Sequence, residues 1–331
     1  PENLSPKTQT ECRISNPELA AVDWEPDGQT VAISSNCGVL VFDAGFVHLA
    51  ILSIEDERRI TTIAFNQDGT LVAASVMNTW HARNDDVYET RIWDVSTGEL
   101  RQVFPHTISI MPIAWHPTEN LLVIANDLEL EVLDVDRGES LYQFSPPVLP
   151  PFSNDPYFVH HPAMACWSPE GSYIRAYWEV AGYLITVPQW EAASIPSSGN
   201  HGSRCNVRMT LIADAGAGVS DFVDHVTSVQ WCNGMSADWN PIDDQEFAVN
   251  CNDRTVRIYD QNAELIRELE SDFEEHSILK YARSLAYSPD GTRLIALGSD
   301  GTLRVWETDS YTLTDHVNVV EVANAVLLSE R

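Results

Sequence analysis

The residues best equipped for chemistry are histidines and carboxylates that fall close together in the chain. His160 and His161 stand side by side, and Asp221, Asp224 and His225 follow in a second stretch, so imidazole and carboxylate donors for a borderline divalent metal are present. Adjacent side chains on a strand point to opposite faces, which argues against a shared ion. Asp85 with Asp86 and Asp243 with Asp244 are acid pairs of the kind a hard cation accepts, but neither sits in a spaced cation-binding loop. The chain has no Gly-x-Ser-x-Gly elbow, no phosphate-cradling glycine loop and no His-Glu-x-x-His helix. Its six cysteines form no Cys-x-x-Cys pair, which removes support for a zinc or dithiol centre. The expectation is a non-catalytic protein with no cofactor and no bound metal; an enzyme with a metal-assisted site at His160 and His161 is the distant alternative.

A second group of residues suits recognition better than catalysis. Trp80, His81 and Arg83 lie in one polar stretch, Tyr157 and Phe158 beside His160 and His161 in another, Asp221, Phe222 and His225 in a third, and Phe273 with His276 in a fourth. Aromatic anchors ringed by polar groups are the usual make-up of a protein or peptide interface. The competing reading is that these rings only pack their loops down onto the scaffold.

A repeat dictates where these stretches fall. An aromatic residue, one spacer and usually proline followed by a turn recur as Trp24-Glu-Pro-Asp-Gly28, Phe65-Asn-Gln-Asp-Gly69, Trp115-His-Pro117, Trp167-Ser-Pro-Glu-Gly171, Trp239-Asn-Pro241 and Tyr287-Ser-Pro-Asp-Gly291. The anchors are 41, 50, 52, 72 and 48 residues apart, bracketing the period of a four-stranded propeller blade with insertions. Apolar runs flank each turn, and a third run ends on an acid in five copies, at Asp43, Asp94, Asp134, Asp260 and Glu307. A turn such as Ser96-Thr-Gly98 then leads to a fourth run. Four short strands with period-two patterning make one small sheet per repeat. Such a sheet is marginal alone, and radial stacking covers both of its faces and leaves few exposed edges.

The blade endings Arg91-Ile-Trp-Asp94 and Gly298-Ser-Asp-Gly-Thr-Leu-Arg-Val-Trp306 resemble those of the WD-repeat propellers. The resemblance covers residues 19 to 315 and implies an all-β, single closed β-propeller of four-stranded antiparallel blades, six preferred with seven as the alternative. It also implies structural hydrogen-bonding roles for His106, nine residues before Trp115, and for Asp253 and Asp300 in the turns before third strands. His276 lies eleven before Tyr287, and the fourth repeat ends in Thr186-Val-Pro-Gln-Trp190 without an acid, so the motif is degenerate. Residues 1–18 form an amino-terminal extension or closing strand, 19–315 the propeller, and 316–331 a carboxy-terminal closing segment that pairs with the amino terminus or adds a short further blade.

Counting locates the insertions. From the position two after the anchor to the terminal acid, the first and third repeats take 17 residues, the sixth 18 and the second 27. The excess lies in 76–89; further long connections span 145–162, 214–226 and 271–281, and all four emerge at one end because neighbouring strands alternate in direction. Ser145-Pro-Pro-Val-Leu-Pro-Pro151 makes a stiff loop base. A fifth long connection, 188–204, is expected at the other end. Function concentrates on loops held by a rigid scaffold, so the shared end is the expected binding face.

Charge narrows the partners. With 49 Asp and Glu against 19 Lys and Arg, only Lys7 and Lys280 being lysine, the net charge is -30. This repels phosphate backbones and anionic lipid, leaving a protein or peptide partner, basic by preference, with no nucleic acid and no membrane insertion. The start at Pro1, the scarcity of lysine and the even cysteine count favour an extracytoplasmic binding or adhesive propeller as the alternative. In that reading Cys12 reaches Cys37 and Cys205 reaches Cys232, whereas Cys166 and Cys251 are isolated buried thiols.

Overall fold

The computed structural model describes residues 14, 19–54, 58–77, 88–106, 110–126, 129–145, 162–168, 170–178, 181–186, 191–195, 209–210, 236–242, 246–251, 255–260, 264–269, 282–298 and 300–329. They form six antiparallel sheets, each made of consecutive strands. The first comprises β1 (Val22–Trp24), β2 (Thr30–Ser35), β3 (Gly38–Asp43) and β4 (His48–Ser53), and the second β5 (Arg59–Phe65), β6 (Leu71–Met77), β7 (Tyr88–Asp94) and β8 (Leu100–His106). The third holds β9 (Ile110–Trp115), β10 (Leu121–Asn126), β11 (Leu130–Asp134) and β12 (Glu139–Phe144), and the fourth β13 (Pro162–Trp167), β14 (Tyr173–Trp178), β15 (Ala181–Thr186) and β16 (Glu191–Ile195). In the fifth, a two-residue β17 (Met209–Thr210) precedes β18 (Ser236–Trp239), β19 (Glu246–Asn250), β20 (Val256–Asp260) and β21 (Leu265–Leu269). The sixth is β22 (Ala282–Tyr287), β23 (Arg293–Gly298), β24 (Thr302–Glu307) and β25 (Thr312–Asn318), after which α1 (Val319–Ser329) ends the described chain. This is the blade architecture of a β-propeller.

The six anchors each close the first strand of their blade, apart from the extra β17, and the terminal acids close the third. Middle strands are buried on both faces, as in Thr30–Ser35, and outer strands are exposed, as in Leu265–Leu269. The apolar clusters are therefore shared between neighbours: Val39, Val41 and Leu52 of the first blade pack with Val72, Ala74 and Trp93 of the second. Trp24, Val31 and Phe42 of the first pack with Ala286, Ile295 and Leu303 of the sixth.

Four of the seams between blades are also tied through the anchor and the residue before it, in one of two arrangements. At two of them alanine precedes the anchor and the next anchor's indole donates to the alanine carbonyl, Trp115 Nε1 to Ala64 O at 2.9 Å and Trp167 Nε1 to Ala114 O at 3.2 Å. Where aspartate precedes it and the next anchor lacks an indole, the carboxylate accepts that anchor's backbone N–H, as Asp23 does from Phe65 and Asp238 from Tyr287, both at 2.8 Å. The residue after the anchor reaches the next blade's first turn. His116 lies under Gly171 of the fourth blade, where φ is +72° and a Cβ would overlap the imidazole.

Among the described residues two that are not glycine adopt left-handed backbone, Phe46 at φ 62° and Tyr311 at φ 53°. Both occupy the turn before an outer strand, where Gly98 and Gly138 stand in the second and third blades. Tyr311 meets Tyr287 hydroxyl to hydroxyl at 2.9 Å, donates to Glu246 and lies under the Arg267 guanidinium, so its strain is held by contacts to the fifth blade.

One expectation needs correction. Residues 188–204 are not one insertion at the far end, because Glu191–Ile195 is the outer strand of the fourth blade; its alternating small residues gave little apolar signal. After Asn318 the described chain continues as α1. Asn318 Oδ1 accepts from Glu321 N as a helix cap, and Val319 and Ala323, one turn apart, turn a shared apolar face inward.

Candidate functional site

Strand direction fixes what each end of the blades carries. First strands begin and third strands begin at the end where second and fourth strands finish, so the connections 78–87, 145–161 and 270–281, and the stretch 196–235 that is interrupted by β17, leave from this end. All twelve residues expected at the interface, Trp80, His81, Arg83, Tyr157, Phe158, His160, His161, Asp221, Phe222, His225, Phe273 and His276, lie outside the described residues, as do Asp224 and Asp253. What the structure describes is the rim from which their loops spring.

That rim is charged and tightly paired. Arg58 at the entry to β5 donates to Glu89 on β7 at 2.8 Å, and Arg91 donates to the same oxygen at 2.8 Å. Burial opposes ionisation of Glu89, but the hydrogen bonds from Arg91 and Arg58 outweigh it and hold its carboxyl below the usual range. His106, at the end of β8, sets Nε2 3.1 Å from the Thr90 hydroxyl, and its Nδ1 is 3.9 Å from Glu131 of the third blade. Burial pushes this imidazole down to about 4, against the pull of the Glu131 and Glu89 carboxylates. In the sixth blade Asp300 accepts from Thr302 N at 3.0 Å and pairs with Arg304 at 2.9 Å. Asp300 thus fastens the turn before β24, whereas His106 ties the end of β8 to β7.

Arg91, Arg257 and Arg304 occupy one register, three residues before the acid or its equivalent on the third strand, and pair with Glu89, Glu268 and Asp300. Arg-Ile-Trp-Asp, Arg-Ile-Tyr-Asp and Arg-Val-Trp-Glu spell this out in the sequence, yet the arginines were not singled out because a lone charge in a strand reads as solvent-facing. Arg304 is instead 3% exposed. Its charge is tolerable there because an acid sits beside it.

Two cysteines mark the same rim. Cys37 lies in the β2–β3 turn, its N–H donating to the Ser35 hydroxyl at 3.1 Å, and Cys251 opens the β19–β20 turn, donating to Thr255 O at 2.9 Å. Both are buried and both are disulfide-bonded. For Cys251 this overturns the expectation of an isolated thiol, since burial alone does not distinguish a thiol from a bridged sulfur. Cys12, Cys205 and Cys232 lie outside the described residues. Among the described residues no group of three or more His, Cys, Asp or Glu could hold a metal, and no helix is long and apolar enough to cross a membrane.

The opposite end is built of short turns. Asp94 accepts from the Ser96 hydroxyl at 2.7 Å and from Thr97 N at 3.0 Å, and these bonds hold its carboxyl down to about 2. Asp68 and Asp290, in first turns, are likewise lowered, chiefly by the Thr70 and Ser288 hydroxyls.

A family model described as "WD domain, G-beta repeat" matches residues 267–307, from within β21 to the end of β24. No curated protein matches the chain. Among solved structures, the β-propeller domain of Cps50 (Swd1) from Myceliophteria thermophila is similar at 14% identity, with 93% of this chain and 88% of that one covered and a TM-score of 0.52. Together with the blade topology, these likenesses show a β-propeller fold in which residues 267–307 match a WD repeat.

Proposed function

We propose that the protein is a non-catalytic interaction scaffold that takes a protein or peptide partner on the end carrying the long connections. The observation that carries this reading is the contrast between the two ends: tight, internally bonded turns at one, and long aromatic-bearing connections on a rim of paired charges at the other. A basic partner is favoured because six of the described arginines are already engaged. Arg58 and Arg91 serve Glu89, Arg101 serves Asp94, Arg304 serves Asp300, Arg267 donates to Ser310 O and Arg293 to Ala44 O. Acids outnumber bases by 49 to 19, so the charge left over for a partner is negative.

Capture from a native lysate by wild type and by a Trp80→Ala, Tyr157→Ala, Phe158→Ala variant of unchanged fold tests the face. A partner kept by wild type and lost by the variant supports it; equal capture by both moves the interface elsewhere, and capture by neither returns small-ligand or enzymatic readings to the front.

The bridged state of Cys37 and Cys251 favours one refinement, an extracytoplasmic binding or adhesive role, since such bonds form and persist in oxidising compartments. Six free thiols in protein isolated under denaturing, non-reducing conditions would remove that refinement and leave the scaffold reading intact.

A further inference from the structure

An outer strand leaves one row of backbone N–H and C=O groups unpaired, and proteins guard such edges with charge or proline. Five of the six outer strands carry a guard: Arg101 and Pro105 on β8, Glu139 on β12, Glu191 on β16, Arg267 and Glu268 on β21, and Asp315 on β25. The outer strand of the first blade, β4, reads His-Leu-Ala-Ile-Leu-Ser and has none. Residues 44–54 as a whole contain no Asp, Glu, Lys, Arg or Pro, in a chain of net charge -30. Val47 and Leu49 are 60% and 55% exposed there. Leu100, Val103, Leu265 and Ile266 are exposed as well, but on the guarded strands β8 and β21.

The pairing with β3 fixes which backbone groups are free. Asp43 N donates to Val47 O and Ile54 N to Cys37 O, while Val39 stands opposite Leu52 and Val41 opposite Ala50. The backbone groups of Ala50, Leu52 and Ile54 therefore face β3, and those of Leu49, Ile51 and Ser53 face outward. A bulge just before Ala50 does not set this edge apart, because four of the other five outer strands carry one too. Among the described residues only β3 pairs with β4.

We infer that β4 pairs with β4 of a second copy of this chain, antiparallel about a two-fold axis through Ile51. Leu49 then exchanges backbone bonds with the second copy's Ser53, and Ile51 with the second copy's Ile51. Charge selects this occupant. A basic strand would find no carboxylate along β4, and an acidic one would meet the field of the whole chain with no cation beside it to offset the repulsion. An uncharged, extended edge fits, and a two-fold sets that same surface on both sides. One strand from each copy makes a small interface, so the dimer is weak, with a dissociation constant of roughly 1–100 μM.

Sedimentation equilibrium of the full chain across roughly 1–500 μM tests this. The expected result is a monomer–dimer equilibrium that tightens as salt rises from about 0.05 to 0.5 M, because screening relieves the repulsion between two copies of charge -30. Ser53→Pro removes one outward donor from each copy, and Leu49→Glu places a charge on the edge; each should weaken dimerisation roughly tenfold or more. Leu265→Glu on β21 adds the same charge at a residue 54% exposed, and should leave dimerisation within about twofold of wild type. A monomer at every concentration, the edge then being left unpaired or covered by another segment of the same chain, overturns the inference. So does a dimer that weakens with salt, or one that Leu49→Glu and Leu265→Glu affect alike. Should Ser53→Pro not fold, the comparison of Leu49→Glu with Leu265→Glu decides.

Discussion

Replacing Gly171 with alanine isolates the contact by which one blade seats on the next. Gly171 has φ +72°, so any L-residue there carries about 1–2 kcal/mol of backbone strain. The new methyl also occupies the place of the His116 imidazole. That ring is not free to swing away: Nδ1 accepts from Thr118 N at 3.2 Å and Glu119 N at 3.0 Å, Nε2 is 3.3 Å from Gly171 O, and the ring meets Trp167 edge-on at 4.6 Å. Overpacking at such a site costs about 1–3 kcal/mol more, and the stiffer unfolded chain returns about 0.4–1 kcal/mol. Gly98→Ala is the control, since its φ is +71° but a Cβ there meets only Leu52 Cδ2 at 3.9 Å, an ordinary contact. The expected result, in urea unfolding followed by tryptophan fluorescence, is that Gly171→Ala is less stable than Gly98→Ala by about 1–3 kcal/mol, the overpacking share alone. Equal losses would show that backbone conformation, and not the seat against His116, is why glycine stands at this turn.

Three further outcomes are expected. His106 protonates near 6.5 in the unfolded chain but only near 4 when folded, so the stability it contributes is complete above pH 6.5 and is lost as pH falls toward 4, by about 3 kcal/mol; His106→Gln should flatten the stability profile in that window by this amount, and an unchanged slope refutes the assignment. Asp23→Ala strands the buried Phe65 N–H at a cost of about 1–3 kcal/mol, and adding Phe65→Trp should recover part of it through an indole bond to residue 23, giving a favourable coupling of about 0.5–3 kcal/mol in a double-mutant cycle. Alkylation of the denatured, unreduced protein should leave peptides bearing Cys37 and Cys251 unlabelled, and labelling of either contradicts the bridges.

The periodic features were legible because they depend on local chemistry. Trp24, Phe65, Trp115, Trp167, Trp239 and Tyr287 announce the end of a first strand wherever they occur, and Asp43, Asp94, Asp134 and Asp260 announce the end of a third by capping the turn that follows. What escaped depends on neighbours distant in sequence. The alternation between alanine with tryptophan and aspartate with phenylalanine or tyrosine is visible only when residue 23 is set beside residue 65, or 64 beside 115. The pairing of Asn324 with Ile14 joins two stretches that look like loose ends. The β16 strand, Glu-Ala-Ala-Ser-Ile, has too few large apolar side chains to stand out from the serine-rich stretch after it.

The charge of the molecule divides in the same way, which bears on how a basic partner would be recognised. Asp27, Asp68 and Asp290 each accept the backbone N–H two residues on, at 2.8, 3.0 and 3.1 Å, and Asp43, Asp94, Asp134 and Asp260 do the same work in the turns before outer strands. These seven of the 49 acids are in place for the fold, at the end away from the long connections, and need no partner to explain them. Further acids stand in the sequence of the long connections, among them Asp85 and Asp86 in the second blade and Asp272, Glu274 and Glu275 before the sixth. Neutralising Asp272, Glu274 and Glu275 together should therefore weaken capture of a basic partner and reduce its sensitivity to salt, while leaving stability within about 0.5 kcal/mol of wild type. Asn at Asp27, Asp68 and Asp290 should do the reverse, lowering stability and sparing capture. If the two sets exchange these effects, the partner sits on the turn-bearing end and the loop-bearing face is the wrong one.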